Sequence, residues 1–203
     1  MKFKILVVLA VLISFQACKT TQPFLAEGAA EALANHTRVA ILPFKVSFDD
    51  NYKRLNARSN ANNWREQERV AGLDMQKTAF LNLSKRAEKK HLGITVQDFI
   101  TTNKTLEREG IRFSQLATMN KDQLARILMV DAVLWGESTM EWGMTSRNGM
   151  KSSLSLYDGS SNFPLWVQSD FQTISNRMDS PQYLATRTVD QLIRSLPYNP
   201  RQN

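Results

Sequence analysis

Side chains able to do covalent or acid–base chemistry are few in this chain. Its 203 residues hold one cysteine, Cys18, and two histidines, His36 and His91. A lone thiol cannot close a disulfide within the chain or build a multi-thiolate metal site. Two acids and an asparagine adjoin in "FDDNY", Phe48 to Tyr52, without the alternating spacing of a calcium loop. No G-x-S-x-G elbow, Walker loop, dinucleotide-binding glycine pattern or H-E-x-x-H helix is present to focus the remaining polar groups. The expectation is a protein that is not an enzyme and carries no metal and no cofactor. A hydrolase assembled from His36, His91, Asp49 and Asp50 is the remaining alternative.

The position of Cys18 carries the chemistry. Lys2 and Lys4 open the chain, and Ile5 to Phe15 is an apolar run of 11 residues broken only by Ser14. As a helix such a run spans ~17 Å, well short of the ~30 Å hydrocarbon core of a bilayer. A positive start, an apolar core and a small residue before a cut describe a secretory leader, here residues 1–17. Ala17-Cys18 at its end resembles the lipobox of bacterial lipoproteins, with Phe15 standing where that family carries Leu, Val or Ile. The resemblance implies a diacylglyceryl group on the Cys18 thiol, cleavage just before it, and a chain moored to a lipid bilayer. Two acyl chains hold a protein stably where one does so marginally. Lys19 follows, rather than the Asp that marks inner-membrane retention in some bacteria, which points to the outer membrane and its periplasmic side.

Composition bounds the rest. The net charge is +7, or +5 without Lys2 and Lys4. The excess is scattered, apart from "SKRAEKKH" (Ser84 to His91) at a predicted helix end, where cations complement the helix dipole. Nothing accompanies it that reads nucleic acid. After the leader, residues 18–37 read as a lipidated N-terminus and linker, 38–197 as one α/β domain and 198–203 as a tail.

Hydrophobic patterning supplies the elements that must position any site. "RVAILPFKV" (Arg38 to Val46) is apolar on both parities, as in a strand buried on two faces, with Pro43 ending or bulging it. Ser47 to Asn63 reads as a long polar loop. A helix follows from Trp64 to about Lys90, with Val70, Leu73, Phe80, Leu83 and Ala87 as its apolar stripe and Gly72 as a weak point. Then come a short strand in Gly93–Asp98, a helix capped by Asp98, and one or two short helices up to Met129. Strands are expected in Val130–Trp142, Met150–Asp158 and Pro164–Ile174, and a last helix in Ser180–Pro197 with Tyr183 among its apolar residues. The order β-α-β-α-β-β-β-α predicts a single α/β domain with a five-stranded mixed sheet flanked by helices.

"RVAILPF", "LARILMVDAVLWGE" and "SLSLYDGSSNFPLWVQ" together resemble the periplasmic domain shared by CsgG-type curli-secretion lipoproteins, the TolB N-terminal domain and lipoprotein activators of penicillin-binding proteins. Leu124, Leu128, Asp131, Ala132, Val133, Leu134 and Gly136 fill that group's helix-to-strand pattern, and Leu156, Tyr157, Asp158, Ser161 and Trp166 most of its hairpin pattern. The resemblance implies a non-catalytic accessory or assembly component of an export or envelope complex, with a regulator of a peptidoglycan synthase as the alternative. Envelope proteins and further copies of the chain are the implied partners. No spare pairs of alternating strands remain from which to build a transmembrane barrel. Physical readings stand beside these: Asp131 as a cap of backbone amides, Gly136 as a point of close backbone approach, Asp158-Gly159 as a turn. For partner contacts the expected anchors are Phe48 and Tyr52 in the long loop, and Trp142 with Met144 at a hairpin end.

Overall fold

A computed structural model describes residues 22–56, 63–142, 148–174 and 181–198. Cys18, residues 1–17 expected as a leader, Met144 and Ser180 lie outside the described residues. The strands are β1 (Phe24–Leu25), β2 (Arg38–Ile41), β3 (Lys45–Phe48), β4 (Thr95–Val96), β5 (Ala132–Glu141), β6 (Gly149–Asp158) and β7 (Pro164–Thr173). The helices are α1 (Ala29–Asn35), α2 (Asp50–Leu55), α3 (Trp64–Lys89), α4 (Phe99–Arg108), α5 (Lys121–Leu128) and α6 (Pro181–Arg194). Among the described residues no helix is long and apolar enough to cross a membrane.

The α/β class holds, but the sheet has seven strands rather than five. Two departures from the sequence-based expectation make up the difference. Pro43 splits the first strand in two, and both halves stay parallel to β5: Val39 to Ile41 lie beside Ala132 to Leu134, and Lys45 to Phe48 beside Glu137 to Met140. At the far edge Phe24–Leu25, expected in a linker, pairs antiparallel with Val167 and Trp166 of β7. The strand order is β1-β7-β6-β5-β2-β4, with β3 continuing β2 along β5.

Helices cover both faces. Val39, Ile41, Leu134, Leu154, Leu156 and Trp166 face α3 and α6. Ala40, Leu42, Val133 and Trp135 face α4 and α5. Leu83 and Ala87 of the expected stripe of α3 are buried, but the row continues through Ala71, Met75 and Ala79 at four-residue spacing, and Val70 is exposed. Small side chains let this helix lie close to the sheet, which a stripe read by hydrophobicity alone misses. Gly72 is part of the same approach rather than a weak point. A Cβ there would overlap the carbonyl of Phe44, and the Gly72 carbonyl accepts the Phe44 N–H at 3.2 Å. Gly136 admits the Phe44 ring, so its neighbour is a side chain and not the backbone expected.

Polar groups fasten the elements. Asp131 caps backbone amides as expected, its Oδ2 accepting from the N–H groups of Thr37 and Arg38 and from the Thr37 hydroxyl at 2.7–2.8 Å. Burial alone would raise this carboxyl; the Thr37 hydroxyl and the two N–H groups more than offset it and hold it below the usual range. Asp98 caps α4 through Ile100 and Thr101. In the "SKRAEKKH" cluster, Arg86 reaches across to the Ile193 and Leu196 carbonyls, so a cation of α3 satisfies the C-terminal end of α6. Tyr183 of α6, expected in its apolar face, is exposed.

Candidate functional site: the edge of β3

Of the residues singled out for partner contact, Phe48 ends β3, Tyr52 follows it in the chain and Trp142 follows β5. Ser47 to Asn63 is not one long loop: β3 runs to Phe48, Asp49 caps α2, and Tyr52 lies on that helix. One Asp49 oxygen accepts the Tyr52 N–H at 2.6 Å and the other accepts the Trp142 N–H at 2.8 Å. That single carboxylate ties α2 to the end of β5. Phe48, Tyr52 and Trp142 are thereby brought together, and Trp64 at the start of α3 completes the cluster. Ring centroids lie 5.2 Å apart for Phe48–Tyr52, 5.8 Å for Phe48–Trp64, 6.1 Å for Tyr52–Trp64 and 6.3 Å for Tyr52–Trp142. Phe48 is only 6% exposed and serves as the cluster's buried floor; Tyr52, Trp64 and Trp142 are half-buried around it. Burial raises the Tyr52 hydroxyl above its ordinary value.

Beside this cluster the outer edge of β3 opens into a groove of about 670 Å³. Pro43 to Val46 form its base, Arg65, Glu68 and Arg69 of α3 one wall, and Arg112, Phe113, Ser114 and Ala117 the other, with Trp135 at the bottom. Lys121 stands behind that tryptophan. Its ammonium is buried, donates to the Leu116 and Met119 carbonyls at 2.8 and 2.9 Å, and lies 4.9 Å from the Trp135 ring centroid. Burial lowers its pKa, with Glu137 opposing the shift. This fixes the wall at 116–119 to the sheet without opening a titratable group to the groove.

The charges of the groove are partly used. Glu68 accepts the Phe48 N–H at 3.0 Å and pairs with Lys53 at 2.9 Å. Arg69 pairs with Glu66 at 2.6 Å, and its guanidinium stands 5.8 Å from the Phe113 ring centroid. Hydrogen bonding between the two lowers the Glu66 carboxyl and raises Arg69. Lys45 meets Glu137 at 3.3 Å. Among the described residues, Arg65 and Arg112 form no ion pair, and both line the groove. Sequence inspection missed them because a scattered charge excess says nothing about which cations meet. The one available signal was Arg65 and Arg69 on the same helix face, one turn apart.

The polar residues considered for hydrolysis do not assemble. His36 precedes β2 and Asp49 follows β3, at opposite ends of one strand run. His36 is 1% exposed, with Nδ1 at 2.8 Å from the Tyr198 hydroxyl and Nε2 at 2.9 Å from Asp158 Oδ2. His91 is exposed past the end of α3. Asp158 also receives the Ser160 N–H and hydroxyl, so this serine is bonded to the carboxylate and not to the imidazole. Among the described residues no group of three or more His, Cys, Asp or Glu side chains lies close enough to hold a metal ion.

No family model and no curated protein matches the chain significantly. Solved structures similar to it along most of its length include three from bacteria. The PelC dodecamer from Paraburkholderia phytofirmans is 14% identical, with 89% of this chain and 97% of that one covered and a TM-score of 0.45. Lipoprotein GNA1162 from Neisseria meningitidis is 17% identical, with 79% and 99% covered and a TM-score of 0.42. The LpoB C-terminal domain from Salmonella enterica is 8% identical, with 72% and 93% covered and a TM-score of 0.35.

Proposed function

We propose that this chain is a bacterial envelope lipoprotein, moored through Cys18 to the outer membrane on its periplasmic side. There it acts without catalysis as an accessory or assembly component of an export or envelope complex. The leader that ends at the lone cysteine carries the proposal. The sequence resemblance to the CsgG-type, TolB N-terminal and synthase-activator domains supports it. So does the geometry: β1, the first strand after the cysteine, lies at one edge of the sheet, and the groove of β3 lies toward the other. Four strand spacings separate them, ~19 Å at ~4.8 Å each. A domain tethered on one side thus offers its apolar, cation-walled surface on the other.

The test has two arms. Intact-mass analysis of the native product should find cleavage before Cys18 and the added mass of acyl chains; an uncut leader or a bare thiol removes the mooring. In the second arm a photoactivatable residue replaces Phe113 in the groove or Tyr183 on the remote face of α6. A cross-linked envelope protein from position 113 alone supports the accessory role, and its identity separates an export complex from a peptidoglycan synthase. A product at twice the chain mass assigns the contact to a second copy. Recovery only as the unlinked chain from both positions rules the accessory role out.

A further inference from the structure

The groove beside β3 has features that narrow what fits it. No strand among the described residues pairs with the outer edge of β3, because β4 ends at Val96, opposite Val39. The outward direction of that edge is marked by two bonds: the Phe44 N–H reaches the Gly72 carbonyl and the Phe48 N–H reaches Glu68. Backbone groups of a strand alternate in direction, so the N–H and C=O of Val46, midway between them, point the same way. The edge is therefore satisfied at both ends, and between them Val46, 6% exposed, has no backbone partner on that side among the described residues, in a strand of four residues, ~13 Å long. On either side stand the unpaired guanidiniums of Arg65 and Arg112, and beneath lies a floor of apolar and aromatic side chains. Phe113 is 37% exposed at its rim.

We infer that this groove takes an extended acidic peptide segment of a partner protein, which adds to β3 beside Val46 and seats an apolar side chain against Phe44, Phe113 and Trp135. The inference rests on the accessory role proposed above and names the chemistry of the partner. An extended chain presents donors and acceptors at the spacing of the strand edge and alternates its side chains between the two walls, so that a row of carboxylates meets the guanidinium of one wall while the apolar row packs on the aromatic side chains of the other. Arginine forks suit carboxylates in two-bond geometry. Lys45 on the strand itself repels a basic segment and discourages indiscriminate edge pairing. A bilayer surface fits less well, since the tether enters at the opposite edge. An acidic polysaccharide matches the guanidiniums but brings no side chain for the floor.

The test uses the full chain in detergent micelles. A fluorescent peptide of about eight residues alternating Asp with Leu or Phe is followed by anisotropy, next to its Lys-for-Asp counterpart. A third version is N-methylated at alternate residues on one edge. The acidic peptide should bind, the basic one should not, and N-methylation on the pairing edge should abolish the signal. The pair Arg65→Glu and Arg112→Glu should weaken the acidic peptide by about tenfold or more and flatten its salt dependence. Equal binding of the methylated peptide overturns strand addition. Binding of polygalacturonate or phosphatidylglycerol vesicles with none of the peptide overturns the choice of partner. If the peptide fails while position 113 still captures an envelope protein, this inference falls and the accessory role stands.

Discussion

Two regions at opposite ends of the β2–β3 run use polar groups in opposite ways. At the His36 end an imidazole, a carboxylate and a phenol are closed on one another, joining the start of β2, the β6–β7 turn and the C-terminal Tyr198. At the β3 end Glu68, Lys53 and Asp49 are engaged, but Arg65 and Arg112 are left facing a cavity. Buried polar groups are affordable only when satisfied, so the first region is a fastening. Charges that stay at a groove rim contribute little to folding and are free to meet a partner. The difference teaches that His36 is held by partners on both ring nitrogens, while Arg65 and Arg112 line a groove without an ion pair among the described residues.

The hardest blow to the contrast falls where both regions depend on one packing point. Gly136→Leu drives a side chain into the Phe44 ring, shifting both β2 and β3; a loss of ~3 kcal/mol or more is expected in urea titration. A variant as stable as the parent would show that Phe44 swings aside freely. Next comes His36→Ala, which leaves the Tyr198 hydroxyl and Asp158 without this partner in a buried site. It should cost about 2–3 kcal/mol and lower the melting temperature by several degrees, without affecting peptide binding at the groove.

Acid titration sharpens the same distinction with a smaller effect. Burial would raise the Asp158 carboxyl, but the hydrogen bonds from Ser160 and His36 outweigh it and hold the group below its ordinary value. The unfolded chain takes up its proton near pH ~3.9 while the folded one still resists. The contribution of Asp158 is therefore present above that pH and lost as the pH falls through the depressed folded value. Asp158→Asn should be less stable than the parent at neutral pH, and the gap should close as the solution is acidified below about pH 4. A gap independent of pH would mean that the carboxylate's charge is not what the His36 end uses. Smallest of all, Arg65→Glu and Arg112→Glu should change unfolding free energy by less than about 0.5 kcal/mol each. A larger loss would make the groove a second fastening and erase the contrast.

Local signals made much of the fold legible. The strands β5, β6 and β7 and the long helix α3 follow from hydrophobic runs and turn residues, and Asp98 was recognisable as a cap because a short acid ahead of a helix bonds its first amides, whereas Asp131, ahead of β5, bonds those at the start of β2. Phe48, Tyr52 and Trp142 could be chosen as aromatic residues of polar surroundings, although Asp49 then draws them into one cluster by bonding two distant N–H groups. What could not be read was β1, two residues with no pattern of their own, whose pairing depends wholly on the exposed edge of β7. The same holds for the stripe of α3, where alanines and a glycine are selected by distance to the sheet and not by hydrophobicity.

The sequence by itself determined most of the element types, the break at Pro43 and the place of the lone Cys18 just after an apolar run. These depend on neighbouring residues and on backbone propensities that act over a few positions. Only the tertiary structure decided that Arg65 and Arg112 share a groove, that His36 is locked to Tyr198 across 162 positions, and that no strand among the described residues pairs with the outer edge of β3. Such juxtapositions are set by how helices pack on the two faces of a sheet. No local pattern encodes which residues, far apart in the chain, that packing will bring within reach.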